Sequence, residues 1–176
     1  MKKTFHLGKI GGLEILVKPL VFVVFIVLWL VGVGVGIGLL KLSFGTAFVG
    51  GFLCVAAHYI TNYLHHFGHS LAAKRAGYPM TGILVMNILA KSLYPRDEPE
   101  LPAKVHIQRA LGGPIFSGLV ALILGLAAAA LRSSGGILYG VVLFAFLDTL
   151  LVYTLGAFLP LGFTDGSTLL YWLPRR

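Results

Sequence analysis

Residues 44–76 read FGTAFVGGFLCVAAHYITNYLHHFGHSLAAKRA, and this stretch decides which kind of protein the chain is. Its first part, residues 44–64, is mostly apolar. That part has about the 20 residues that an α-helix needs to cross a hydrocarbon core of roughly 30 Å. The helix then continues in more polar form to Ala76. The stretch therefore predicts a transmembrane helix that carries several histidines.

Three further apolar segments of similar length surround it, at residues 20–40, 110–131 and 137–159. The whole chain has 176 residues, of which 57% are hydrophobic and 11% charged. Soluble domains are about 45–50% apolar and about 25% charged. Because so few charges do not cover a water-facing surface, lipid is the expected solvent. We predict one all-α membrane domain over residues 1–176, with about four transmembrane helices.

The connection between the second and third predicted helices, residues 77–108, is polar by comparison. Residues 80–93 are rich in β-formers, which predicts a short β-hairpin at the membrane surface. Residues 96–102, RDEPELP, predict an exposed loop because proline and charged residues cluster there. We therefore expect a small β segment between helices two and three.

The basic residues indicate how the chain is oriented. The formal net charge is +8, but long apolar runs separate the cations and no aromatic-interleaved basic face appears, which argues against nucleic acid as a partner. Cytoplasmic loops of membrane proteins carry an excess of Lys and Arg. With the N-terminus inside, only Lys41 and Arg132 of the fourteen lie outside. The cytoplasmic group is Lys2, Lys3, Lys9, Lys18, Lys74, Arg75, Lys91, Arg96, Lys104, Arg109, Arg175 and Arg176. We expect an integral protein of a prokaryotic plasma (inner) membrane, with both termini cytoplasmic.

Helix two carries polar residues at membrane depth. Steps of three and four place His58, Asn62, His65 and His69 on one face, and His66 lies about 100° from His65. Ionisable groups within spans are expensive and often functional. His65 and His69, at i and i+4, can bring two imidazoles to one divalent metal ion, as in the H-E-x-x-H zinc motif. A hydrogen-bonded structural pair is the alternative.

A catalytic-type zinc site needs a third protein ligand and one open position. Asp165 is the best candidate, because it follows a break in helix four at residues 159–162 and irregular backbone could turn it inward. The alternative is a surface turn over residues 163–166. Asp148, in the middle of helix four, ranks below Asp165, since no turn frees it. It could bond to a histidine, pair with another group across the bundle, or face water.

Taken in order, these blocks resemble the site-2 protease family of intramembrane zinc metalloproteases. Residues 65–77, HHFGHSLAAKRAG, are similar to that family's H-E-x-G-H block, and residues 159–166, LPLGFTDG, to its P-x-x-x-x-D-G block. Residues 113–114, Gly-Pro, resemble its Gly-Pro motif. Residues 11–18 resemble the strand-like lead into its first helix. The resemblance covers nearly the whole chain.

The resemblance implies zinc held by His65, His69 and Asp165, and hydrolysis of peptide bonds in transmembrane substrates. Residues 80–94 would then offer an edge strand for pairing with an unwound substrate. The implied partners are a transmembrane peptide or membrane-protein substrate and the lipid bilayer.

The chain departs from the family at its catalytic Glu, whose position is occupied by His66. That Glu moves a proton from water to the leaving amine, which is worth about 10²–10⁴-fold in rate. A neutral imidazole, with a reference pKa of about 6.5, could act as the base instead. Ser117 and Ala157 stand where the family often has Asn. Two hypotheses stay open: a protease that uses His66, and a pseudoprotease that keeps the fold and binds or scaffolds membrane partners.

Two other functions receive less support. A bis-histidine haem protein would use His58 and His65, but such haems commonly need ligands on facing helices, and the remaining histidines, His6 and His106, lie in polar segments. A metal-ion carrier would use intramembrane His and Asp residues. Nothing in the chain resembles an inverted repeat, and four helices offer little pathway.

Overall fold

Four helices form the bulk of the protein. The computed structural model describes residues 4–175, so Lys2, Lys3 and Arg176, which enter the orientation argument, lie outside the described residues. Three spanning helices are regular: α1 (Leu20–Gly38), α2 (Phe44–Arg75) and α3 (Ala103–Leu131). With the fourth, Gly136–Phe158, all are long and apolar enough to cross a membrane. This confirms the predicted membrane protein of about four transmembrane helices.

The fourth span changes its winding along its length. It begins as α4 (Gly136–Asp148), widens into a π-helix (Thr149–Leu155), and ends in a 3₁₀ turn (Gly156–Phe158). After the predicted break, α5 (Asp165–Trp172) leads into a last 3₁₀ turn (Leu173–Arg175). Because π-helical turns are rare and cluster at functional sites, the irregular segment marks this end of the span for attention.

Four short strands form one sheet, in the order β1-β2-β3-β4. They are β1 (Phe5–Ile10), β2 (Leu13–Val17), β3 (Gly82–Val85) and β4 (Ala90–Leu93). The predicted hairpin is present as the antiparallel pair β3–β4. The sheet is larger than predicted, because the N-terminal hairpin β1–β2 adds to it through a parallel pairing of β2 with β3. One edge of the sheet is β4.

The sheet packs against α2 through a small apolar core. Alternate residues of β2 are buried, as expected for a strand with one face on the core. The buried members of this core are Leu13, Ile15, Val17, Val21, Ala73, Met80 and Ile83. Aromatic residues of α2, among them Tyr59, Tyr63 and Phe67, pack against it. This packing fixes the hairpin beside the histidine-bearing part of α2.

The tip of the β3–β4 hairpin is tied to the middle of α2. The Ile88 carbonyl accepts hydrogen bonds from His58 Nε2 at 2.8 Å and Asn62 Nδ2 at 3.1 Å. The Tyr59 hydroxyl donates to the Asn87 carbonyl at 2.8 Å. His58 lies about 21 Å along the helix from Phe44, within the roughly 30 Å of a hydrocarbon core. The hairpin therefore reaches α2 within its apolar part.

Helix α3 begins earlier than predicted, at Ala103 rather than near residue 110. Pro102 precedes its first residue, and the fixed φ of proline suits a helix start. The added turns bring Arg109 into the interior, where it is 6% exposed. Since a buried charge needs a partner, Glu98 hydrogen-bonds to it. The predicted exposed loop over residues 96–102 is therefore partly docked, with Leu101 buried.

Candidate metal centre

The structure brings His65, His69 and Asp165 together. The two Nε2 atoms lie 3.0 Å apart. Asp165 Oδ2 is 3.3 Å from His65 Nε2, and Asp165 Oδ1 is 3.4 Å from His69 Nε2. Both rings are buried, with His65 7% and His69 5% exposed. One ligand atom from each residue lies within 4.8 Å of the others, so the three side chains form a group that could hold a metal ion.

These separations fit the ligand shell of a small tetrahedral cation. Zinc binds imidazole nitrogen and carboxylate oxygen at about 2.0–2.2 Å, so tetrahedral neighbours lie about 3.3–3.5 Å apart. The two histidine–aspartate distances have this value, and the histidine–histidine distance is slightly shorter. Two imidazoles and a carboxylate are also the protein ligands of many catalytic zinc sites, which leave a fourth position open.

Each candidate ligand histidine is oriented through its other ring nitrogen. His69 Nδ1 lies 2.7 Å from the Arg109 carbonyl, an acceptor, so Nδ1 carries the proton and donates. His65 Nδ1 lies 3.0 Å from Ser117 Oγ. Such partners fix the ring orientation and leave Nε2 free for a cation. Ser117, where the family often has Asn, is thus placed against His65, a contact that the sequence did not reveal.

A close approach of α3 to α2 shapes the rear wall of the site. A Cβ at Gly113 would collide with the His69 ring and would lie 2.7 Å from His65 Cε1. A Cβ at Gly112 would lie 2.5 Å from Ala72 Cβ, and one at Gly68 would lie 2.5 Å from the Gly112 carbonyl oxygen. Glycine is therefore required where the two helices cross behind the histidines.

The loop before α5 turns Asp165 inward. Thr164 Oγ1 donates a hydrogen bond to the Leu159 carbonyl, which folds the loop back on the end of the fourth span. A Cβ at Gly166 would collide with the Phe158 carbonyl, so glycine permits the close approach of α5. The Asp165 side chain is 16% exposed. The residue is the first of α5 and faces the histidines; it does not lie in a surface turn.

The Asp165 carboxyl is held in its ionised form. Burial by itself would raise its pKa, but hydrogen bonds and charge contacts with His65 and His69 outweigh that effect and lower the pKa to about 2. A carboxylate must be deprotonated to bind a metal ion. Asp165 is therefore in the required form at neutral pH.

His66 lies beside the three converging residues and is not one of them. Its ring centroid is 5.4 Å from that of His65 and 5.5 Å from that of His69. Its Nδ1 lies 2.9 Å from Ser92 Oγ on β4. The ring is 8% exposed. His66 is therefore near the candidate metal position while its own hydrogen bond runs to the hairpin.

A cavity of about 1,000 Å³ opens onto the site. Its walls come from α2, the β3–β4 hairpin, the π-helical segment and the loop before α5, and Ala157 is among its lining residues. This volume is at the upper end for small-ligand pockets. Tyr94 also lines it. Burial is the main cause that raises the pKa of the Tyr94 hydroxyl to about 12, so the group stays a hydrogen-bond donor.

Arg109 supports the site from the end of α3. Its Nη1 donates to Glu98 Oε2 at 3.0 Å, its Nη2 donates to the Tyr78 carbonyl at 2.6 Å, and its guanidinium carbon lies 4.0 Å from the centroid of the Tyr94 ring. Its hydrogen bond to Glu98 lowers the pKa of that carboxyl. Because its carbonyl orients His69, one residue links the loop after β4 to a candidate ligand. The sequence indicated only its charge.

A second polar cluster lies further along α2 and accounts for Asp148. His58 Nδ1 lies 3.2 and 3.1 Å from the two Asp148 carboxylate oxygens. Thr61 Oγ1 donates to Asp148 Oδ2 at 3.1 Å. The Tyr153 hydroxyl lies 3.2 Å from His58 Nε2, which also contacts the Ile88 carbonyl. Asp148 therefore bonds to a histidine across the bundle. Since both nitrogens of His58 have partners, this arrangement disfavours haem ligation.

Comparisons with known proteins bear on the fold. No protein-family model matches the chain, and no curated protein sequence matches it. A solved structure, "Site-2 Protease from Methanocaldococcus jannaschii", is similar with a TM-score of 0.63. The match covers 96% of this chain and 70% of that one, at 19% sequence identity. The chain therefore has the fold of a site-2 protease, as the resemblance of the ordered motifs implied.

Proposed function

We propose that this protein is an intramembrane zinc metalloprotease that hydrolyses peptide bonds in transmembrane substrates. The observation that carries the proposal is the convergence of His65, His69 and Asp165, with separations of 3.0–3.4 Å, at the wall of a large cavity. A zinc ion held by these residues would supply the Lewis acidity that activates water and a carbonyl group for hydrolysis. The fold of a site-2 protease supports the same function.

The side chains around the ligands have separable roles in this proposal. Ser117 and the Arg109 carbonyl orient the two ligand rings. His66 accepts a proton from the attacking water and returns it to the leaving amide nitrogen, in place of the family's Glu. Peptide hydrolysis then balances, because water supplies the hydroxyl of the new acid and the proton of the new amine. Tyr94 presents a hydroxyl donor to the same cavity.

The substrate in this proposal is an extended stretch of a transmembrane peptide. A peptide can add to an exposed sheet edge through main-chain hydrogen bonds. Strand β4 is such an edge, and Ala90, Lys91 and Ser92 line the cavity beside His66. A helical segment must unwind to pair in this way, so the enzyme would favour helices that contain helix-breaking residues.

We also propose that both chain termini are cytoplasmic, in a prokaryotic plasma membrane. Four spans place the two ends on one side. Among the described residues, Lys41 and Arg132 lie at the opposite end of the spans from the other basic residues, which fits the positive-inside rule. The histidine-bearing half of α2 would then face the cytoplasmic leaflet.

The test is zinc analysis and cleavage by the purified full-length protein in lipid nanodiscs. The native protein should hold about one zinc per chain and cleave a tagged transmembrane peptide slowly. His65→Ala should lose both zinc and cleavage. His66→Glu should keep zinc and cleave about 10²–10⁴-fold faster, which is the usual contribution of a general acid–base group. His106→Ala is the matched control, because His106 lines the cavity outside the ligand set.

The second candidate function is a pseudoprotease that holds the metal and binds transmembrane segments without cutting them. One observation favours it. The carboxylates among the described cavity residues are Asp165, a candidate ligand, and Glu98, which is paired with Arg109, so an imidazole stands alone where the base is needed. Stoichiometric zinc without cleavage by the native chain, together with cleavage by His66→Glu, would establish this function. Absence of bound zinc from the native protein would contradict both candidates.

A further inference from the structure

The three neighbouring histidines of α2 are restrained by different parts of the fold. His65 and His69 are held by Ser117 and the Arg109 carbonyl, both on α3. His66 is held by Ser92, on the β3–β4 hairpin, at 2.9 Å between Nδ1 and Oγ. The candidate ligands are thus fixed by a packed transmembrane helix, whereas the ring in the catalytic position is fixed by a strand.

The strand geometry explains how Ser92 reaches the ring. Side chains alternate along a strand, so Ala90 and Ser92 lie on one face and Lys91 on the other. Ala90 packs on the core between the sheet and α2, and Lys91 is exposed. Ser92 therefore faces α2. On its inner side β4 pairs with β3, with Ser92 opposite Ile83, and its other side is a free edge of the sheet.

We propose that Ser92 is a positioning residue that sets the orientation of the His66 imidazole from the edge strand. A peptide that adds to β4 would settle the same strand that holds the ring. Docking of the substrate and orientation of His66 are therefore coupled through one hydroxyl group. The catalytic meaning of this coupling rests on the proposed proteolytic function, but the restraint on the ring does not.

The restraint is tested by nuclear magnetic resonance on protein with ¹⁵N-labelled histidines, purified in nanodiscs. The His66 signals are identified by their loss in His66→Glu. Ser92→Ala should shift and broaden the His66 ring signals and leave those of His65 and His69 in place. Ser92→Thr, which keeps the hydroxyl, should restore them. Ser117→Ala is the matched contrast and should disturb His65 but not His66. Unchanged His66 signals in Ser92→Ala would overturn the proposal.

A cleavage assay tests the coupling itself. Ser92→Ala should lower kcat about tenfold with little change in KM, since misplacement of a reacting group by about 1 Å can cost up to ~10²-fold. In the His66→Glu background, the same substitution should change kcat less than about twofold, because a carboxylate there does not depend on the Ser92 contact. An equal loss in both backgrounds would show that Ser92 acts only on the strand and would overturn the proposal.

Failure of the proposed function gives a different result. If neither the native chain nor His66→Glu cleaves any substrate, proteolysis is excluded, and the resonance experiment alone decides whether Ser92 orients His66. The backbone of β4 keeps its donors and acceptors in every Ser92 variant, so loss of strand pairing is not the cause of a changed ring signal.

Discussion

Two polar clusters on α2 are built from the same kinds of side chain and differ in how their atoms are satisfied. In each, histidine on α2 faces an aspartate from the C-terminal third of the chain: His65 and His69 face Asp165, and His58 faces Asp148. In the first cluster, three potential ligand atoms converge on one point. In the second, the His58 nitrogens and Asp148 oxygens bond to partners within the protein.

The difference separates a site that needs a further atom from one that is complete. At the first cluster the Nε2 atoms point at each other and at a carboxylate, which places three electron-rich groups around one empty centre unless a cation or protons join them. At the second, His58 lies between two acceptors, the Asp148 carboxylate and the Ile88 carbonyl. A histidine and an aspartate inside a membrane span therefore indicate a binding site only where their lone pairs converge.

The sharpest way to break the comparison is to neutralise each aspartate. Asp165→Asn should lower zinc affinity at least about 1,000-fold, beyond the ~10–100-fold cost of losing a supporting partner. Asp148→Asn should leave zinc affinity within about twofold of the native value. Competition with a zinc-binding dye measures both. Equal losses in the two variants would contradict the distinction between the clusters.

The second cluster should matter for stability. Asp148→Ala should lower the free energy of unfolding by about 3 kcal/mol, since removal of one partner leaves the other buried and unpaired. The double variant His58→Leu/Asp148→Leu should recover most of that loss, because a buried pair can be replaced by apolar residues at little cost. Chemical unfolding in detergent micelles gives the two values. A double variant as unstable as the single one would disprove a purely structural pair.

The rear wall offers a finer test of the first cluster. Gly113→Ala should weaken zinc binding about tenfold, comparable to the loss of a supporting contact, because its Cβ would collide with the His69 ring. Gly118→Ala, on the same helix, is the matched control: its Cβ would meet Thr154 Cγ2 at 3.5 Å, an ordinary contact. The same dye competition applies. Similar affinities for the two variants would mean that the wall does not shape the site.

The smallest effect concerns the Glu98–Arg109 pair at the cavity rim. Because the folded-state pKa of Glu98 is lowered by Arg109, the pair stabilises the fold above the unfolded pKa of about 4.3, and this is lost as pH falls through the folded-state value. After allowance for solvent screening, the contribution is about 1 kcal/mol or less. Glu98→Gln should lose this part of the pH dependence. Identical unfolding profiles from pH 6 to pH 3 would refute it.

The sequence was most informative where residue type and spacing carry the signal. Apolar length predicted the four spans, and the i, i+4 spacing with the break before Asp165 brought the three site residues into one hypothesis. The parallel pairing of β2 with β3 was not predicted, because it joins segments about 65 residues apart and depends on both packing on α2. The partners of His58 and His66 were also missed, since Asp148 and Ser92 reach them only through tertiary contacts.

The π-helix at Thr149–Leu155 has a consequence for how this chain tolerates insertions and deletions. A π-turn takes up about one more residue than an α-turn, so this segment acts as a phase setting for everything that follows. Removing a single residue would restore regular winding and rotate the remaining span by about 100°. The aspartate that closes the candidate metal site would then leave from the wrong side of the bundle. The rotational angle of one helix thus decides whether three distant residues meet.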